Sequence, residues 1–141
     1  MRCERSNVDD AIGYVWHGNP DQGDDKRRSM THGQMHEIFE GIICDDNMFS
    51  MQYGEPANPI DWFVTAQWLE TAKLLITVDT GMAHLAGAMG IPCWVLLSKP
   101  CHWIYGQEGY TTPWYPTSRL FRQQKNGDWS TVIEEVREAL Q

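Results

Sequence analysis

Positive charge is scarce in this 141-residue chain: 11 Lys and Arg stand against 19 Asp and Glu, a formal net charge of -8. Nucleic acid and anionic membranes repel so acidic a surface, so neither is an expected partner. Long hydrophobic runs are missing too. None approaches the ~20 apolar residues that span a bilayer, and the polar start MRCERSNVDD is not that of a signal peptide. The four cysteines, Cys3, Cys44, Cys93 and Cys101, form no C-x-x-C pair. A reduced, cytoplasmic protein without zinc or disulfides is expected, with Cys93 a small hydrophobe in a buried strand. No G-x-G-x-x-G turn and no G-x-x-x-x-G-K-[ST] loop occurs, which disfavours NAD binding of the Rossmann type and P-loop chemistry. Repeats and low-complexity tracts are also lacking. What remains, 42% hydrophobic and 21% charged, is the composition of an ordinary globular domain with its own core.

The stretch from Leu74 to Leu97 organises the rest. Leu74-Leu75-Ile76-Thr77-Val78 is apolar on both faces, as a strand inside a parallel sheet must be. Asp79-Thr80-Gly81 then turns the chain into a helix of small residues, with Met82, Ala83, Leu85, Ala86, Ala88 and Met89 at helical spacing. Gly90 ends that helix, Pro92 forbids its continuation, and Cys93 to Leu97 supply a second buried strand. The unit is a βαβ crossover.

Its turn carries the candidate chemistry. Ligands of open α/β sheets bind beyond the carboxyl ends of strands, where a helix N-terminus offers N–H groups and a positive dipole end. Thr80, Gly81 and Met82 present those N–H groups, Gly81 lets a bulky anion approach, and the Thr80 hydroxyl adds a donor. His84 sits one turn further in. A phosphate or diphosphate is the guest such a turn suits. The plainer alternative makes Asp79 and Thr80 helix caps and His84 a surface or core histidine. The strand–turn–helix–strand context favours the anion site.

Elsewhere, Ala11 to Trp16 reads as the first strand and His17 to Ser29 as an irregular loop. That loop holds Lys26, Arg27 and Arg28, the one basic cluster of the chain. A guanidinium can meet a phosphate through two parallel hydrogen bonds, so the cluster is a candidate phosphate ligand. For Lys26 and Arg27 a solvated charge run is as good a description. Thr31-His32-Gly33-Gln34 caps a helix to about Gly41, with Met35, Ile38, Phe39 and Ile42 inward. His32 and His36 have metal-ligand spacing on it but no third ligand in view, so they read as surface histidines. Asn47 to Gln52 is a further strand. Ile60 to Ala72 is a helix capped by Asp61, Arg119 to Phe121 a last short strand, and Trp129 to Leu140 an amphipathic helix started by Asp128.

Three ordered motifs carry a family resemblance. VDTGMAHLAGAMGIPCWVLL (78–97), Trp16-His17-Gly18-Asn19-Pro20 followed by Asp25 to Ser29, and Trp114-Tyr115-Pro116 through Gln123 with Gly127-Asp128-Trp129 are similar to the donor-binding half of glycosyltransferase family 9, the heptosyltransferase-like enzymes. The resemblance implies a single α/β, Rossmann-like domain of parallel strands with helices on both faces, the C-terminal half of a GT-B fold. It also implies nucleotide-diphosphate contacts at Trp16, Asn19, Arg28 and Asp79 to His84. Gln52 is then placed to bond a base edge and Tyr53 to stack on it. Residues 55–73 depart from the pattern, lacking one strand–helix step. His102-Trp103-Ile104 replaces an acidic-Trp-Arg run.

The resemblance covers only the donor half, whereas sugar transfer needs an acceptor and base held opposite the donor. The expected function is therefore binding, without catalysis, of a nucleotide diphosphate sugar or an ADP-ribose-like molecule, ADP-type ligands being favoured. Such a domain would be a sensor, or a sponge for a nucleotide signal as some phage counter-defence proteins are. The alternatives are a glycosyltransferase completed by another chain or an oligomer partner, and a degenerate protein-interaction module. No other cofactor and no metal is expected. A homo-oligomer would cover the half-exposed diphosphate.

Overall fold

The computed structural model describes residues 11–19, 21, 23, 25–52 and 61–141. Five strands, β1 (Ile12–Val15), β2 (Met48–Ser50), β3 (Leu74–Val78), β4 (Cys93–Leu97) and β5 (Ser118–Arg122), form one all-parallel sheet in the order β2-β1-β3-β4-β5. Every residue of β1 and β3 is buried, which is why both strands read as unbroken apolar runs. Helices α1 (Asp25–Arg28), α2 (His32–Phe39), α3 (Trp62–Glu70), α4 (Gly81–Met89) and α5 (Ser130–Leu140) connect and cover the strands. This is the α/β, Rossmann-like architecture expected.

Alternation along the strands divides the core in two. Ile12, Tyr14, Leu74, Ile76, Val78, Leu96 and Phe121 point to the face covered by Met35, Ile38 and Phe39 of α2 and Val132, Ile133 and Val136 of α5. Val15, Leu75, Cys93, Val95, Leu97 and Leu120 point to the other, covered by Leu69 of α3 and Met82, Ala83 and Ala86 of α4. Helices therefore lie on both faces: α2, between β1 and β2, and α5 cover one, while α3 and α4, in the next two crossovers, cover the other, so the parallel sheet is buried on both sides.

Local signals set most boundaries. Thr31 and Gln34 form a reciprocal capping box at the start of α2, and the Asp61 carboxylate accepts from the Phe63 N–H at the start of α3. Gly90, at φ 72°, ends α4 in the left-handed conformation that suits glycine. The Asp128 carboxylate accepts from the Ser130 N–H ahead of α5, where the sequence expected Asp128 to start the helix.

Two expectations are corrected. The loop after β1 is not wholly irregular: residues 25–28 make one helical turn, α1, because the Asp25 carboxylate accepts from the Ser29 hydroxyl and the Ser29 N–H bonds the Asp25 carbonyl. Nor is the chain free of disulfides, since Cys44 is disulfide-bonded while Cys93 and Cys101 are free. Burial pushes the Cys93 thiol up to about 12, in keeping with a small hydrophobe. Among the described residues no helix is long and apolar enough to cross a membrane.

Candidate functional site

Strand order locates the crevice. From β1 the chain crosses to β2 on one side, then returns to β3 on the other, so the connections diverge between the carboxyl ends of β1 and β3. That topological switch point is where doubly wound sheets bind ligands. Val15 pairs with Thr77, so Trp16 to Asn19 and Asp79 to Gly81 leave the sheet side by side.

On the β3 side, α4 begins at Gly81 with Thr80 as its N-cap, and no side chain caps it. The first N–H groups of a helix have no intrahelical acceptor, so this end retains its attraction for an anion. Thr80 does not supply the donor expected of it. Thr77 gives its single hydroxyl proton to the Val78 carbonyl, so in the 3.0 Å contact between the two hydroxyls it is Thr80 that donates. Its proton points into the protein, which fixes the turn and leaves anion contacts to the backbone. Met82 keeps its N–H at this end while its side chain is buried in the core under α4.

Asp79, His84 and Arg28 converge here. Burial raises the Asp79 pKa above its ordinary 3.8, and the charges of Arg28, His84 and His102 pull partly against that rise. His84 Nδ1 is 2.9 Å from the Tyr115 hydroxyl, and its ring stacks on Tyr105 at 6.1 Å between centroids. With Tyr115 donating to Nδ1, the Nε2–H of His84 is left for a ligand. The Tyr105 side chain is buried, its hydroxyl has no partner among the described residues, and burial and the Asp79 charge push its pKa up. Trp62, 58% exposed, stands over the helix end: a Cβ added to Gly81 would lie 3.0 Å from its ring.

On the β1 side the loop is held rigidly. Gln52 accepts from the N–H groups of Trp16 and His17 and donates to the His17 carbonyl. Where a base-edge contact was expected, its buried amide instead positions the loop. Arg28 Nε lies 3.7 Å from Asp25, and both side chains press on Gly18, where a Cβ would meet Arg28 Nη2 at 2.6 Å. Trp16 packs toward α2, its ring 4.7 Å from that of His32, so it faces away from α4. Asn19 caps its own turn through Asp21 N–H, and Lys26 is exposed on α1. Tyr53 lies outside the described residues. The rings of His32 and His36 lie 4.3 Å apart, tilted by 40°, and no group of three metal-ligating side chains occurs among the described residues.

The site thus unites Arg28, Asp79, the α4 N-terminus and His84, while Trp16, Asn19 and Lys26 do other work or stand apart. Trp62, from the helix expected over 60–72, Tyr115, from the third motif, and His102 and Tyr105, from the segment after β4, join them without having been given a site role by sequence reasoning. For His102 and Tyr105 the only signal was the Gly- and aromatic-rich composition of residues 98–112, and for Tyr115 its place in the Trp114-Tyr115-Pro116 motif. No protein-family model, curated protein or solved structure matches the chain.

Proposed function

We propose that this crevice binds a nucleotide diphosphate, with ADP-type molecules such as ADP-sugars or ADP-ribose as the favoured class. The observation that carries the proposal is the uncapped N-terminus of α4 at the switch point, with the Arg28 charge close enough to act on Asp79. The diphosphate would accept from the Gly81 and Met82 N–H groups, from Arg28 and from His84 Nε2. Tyr105 adds a buried hydroxyl suited to the ligand's ribose or sugar oxygens. Trp62 offers an exposed ring beside the phosphate position, and stacking a base on such a ring is worth about 1–3 kcal/mol. The likeness of residues 78–97 to a glycosyltransferase donor site supports the same ligand class.

A thermal-shift panel of ADP, ADP-ribose, ADP-sugars and UDP-sugars, with chromatography of each mixture, tests this. At a hundred times its dissociation constant a ligand adds about 2.7 kcal/mol of stability. A shift that Arg28→Gln diminishes, with the ligand recovered intact, supports a binder acting as sensor or sponge. Consumption of the ligand would instead favour a transferase completed by a partner. No shift with any nucleotide overturns the proposal.

A further inference from the structure

A second cleft opens at the carboxyl ends of β4 and β5, with a volume of about 330 Å³. That is the small end of the roughly 300–1,000 Å³ typical of ligand pockets. Gln123, at the end of β5, lines it with a side chain only 3% exposed. The orientation of its amide is fixed, because two backbone N–H groups, of Lys99 and Gly127, each donate to Oε1 at 3.1 Å. The Nε2 group therefore points the other way, and it has no hydrogen-bond partner among the described residues. Buried N–H donors that have given up water without gaining a partner are unfavourable, so such a group wants an acceptor.

The charges of the lining select what that acceptor belongs to. Lys99 and Arg122 are balanced by Glu108 and Glu135, so neither an anion nor a cation is favoured as a whole. The Arg122 guanidinium already donates to the carbonyls of Tyr105, Gly106, Glu108 and Gly109 and so is turned to the loop. Amide donors beside carboxylate acceptors match hydroxyl groups, which accept from the first and donate to the second. Tyr110, 73% exposed on the rim, gives a flat apolar face.

We propose that this cleft is a subsite for a neutral polyhydroxyl ligand of monosaccharide size, with the Gln123 amide as its buried donor. It does not depend on the diphosphate reading of the α4 N-terminus, and a free sugar without phosphate tests it separately. The 15N-labelled full chain is titrated with glucose, galactose and mannose, and in parallel with glycine and inorganic phosphate, while the Gln123 side-chain NH2 resonances are followed. At least one sugar is expected to move them saturably. Gln123→Glu keeps an oxygen for the Lys99 and Gly127 N–H groups but has no N–H to give; followed through the backbone amide resonances of Lys99, Tyr110 and Gln124, which the parent's sugar also moves, its saturation is expected to be lost. Tyr110→Ala, a rim change that leaves the buried amide in place, weakens binding several-fold and covers the case in which Gln123→Glu does not fold. Overturning results are a Gln123 signal that no sugar moves, or one that only glycine or phosphate moves.

Discussion

The two faces of the sheet do different work. Under α2 and α5 the core is built from large side chains, among them Met35, Ile38, Phe39, Trp129 and Val136, and Arg137 ties the helices by donating to the Glu37 and Glu40 carbonyls. Under α3 and α4 the covering contacts are made by Leu69, Met82 and the small Ala83 and Ala86, and the buried polar residues Thr77, Thr80 and Tyr105 lie there. Trp62 and Phe63 stay exposed on that side. One face is a closed apolar seal. The other accepts small residues and, at Tyr105, a buried hydroxyl without a partner among the described residues, as a surface shaped for a ligand can.

The sharpest way to break this division is Ile38→Ala, at a fully buried position of the sealed face. It should lower unfolding free energy by about 2–5 kcal/mol in urea titrations, while nucleotide affinity of the folded fraction is unchanged. Arg28→Gln should do the opposite. Loss of a charge-assisted contact should weaken ADP binding by about 1.5–3 kcal/mol in isothermal titration. Intermediate is Gly87→Ala, because a Cβ there would lie 2.4 Å from Tyr115 Cγ and the ring root cannot swing away. Overpacking of about 1–3 kcal/mol is expected, with displacement of Tyr115 from His84 visible as a change in the His84 ring resonances.

The smallest effect concerns Asp79. Its folded-state pKa is raised, so the folded protein holds that proton more tightly than the unfolded chain. The ionisation penalty is absent below the ordinary value of 3.8, grows through the window above it, and is complete above the raised value. Asp79→Asn should therefore be more stable than the parent at neutral pH, with the difference vanishing as pH falls through that window. A series of urea midpoints against pH checks the sign, and a variant less stable at neutral pH would contradict it.

Legibility followed the range of the interactions. The β3–α4–β4 unit was readable because each boundary is local: the apolar run, the turn at Asp79, Gly90 at φ 72°, and Pro92. The capping box at Thr31 and the cap at Asp61 were readable for the same reason. Partners distant in sequence were not. Gln52 and Trp16 are 36 residues apart, as His84 and Tyr115 are 31 apart, and no periodicity announces either pair. Thr80 shows the limit within a motif, since the direction of its hydroxyl proton depends on where Thr77 sends its own. Strand order belongs to the same class: residues 12–15 and 74–78 are neighbours only once the crossovers are drawn.

Arg122 has a last consequence. Its guanidinium clasps four carbonyls of residues 105–109. A protease that recognises arginine must draw that side chain into its own pocket, and here the side chain is already held. Limited digestion with trypsin should spare the bond after Arg122 under conditions that cut after exposed Lys125, so the clasp shields a scissile bond as well as closing a loop.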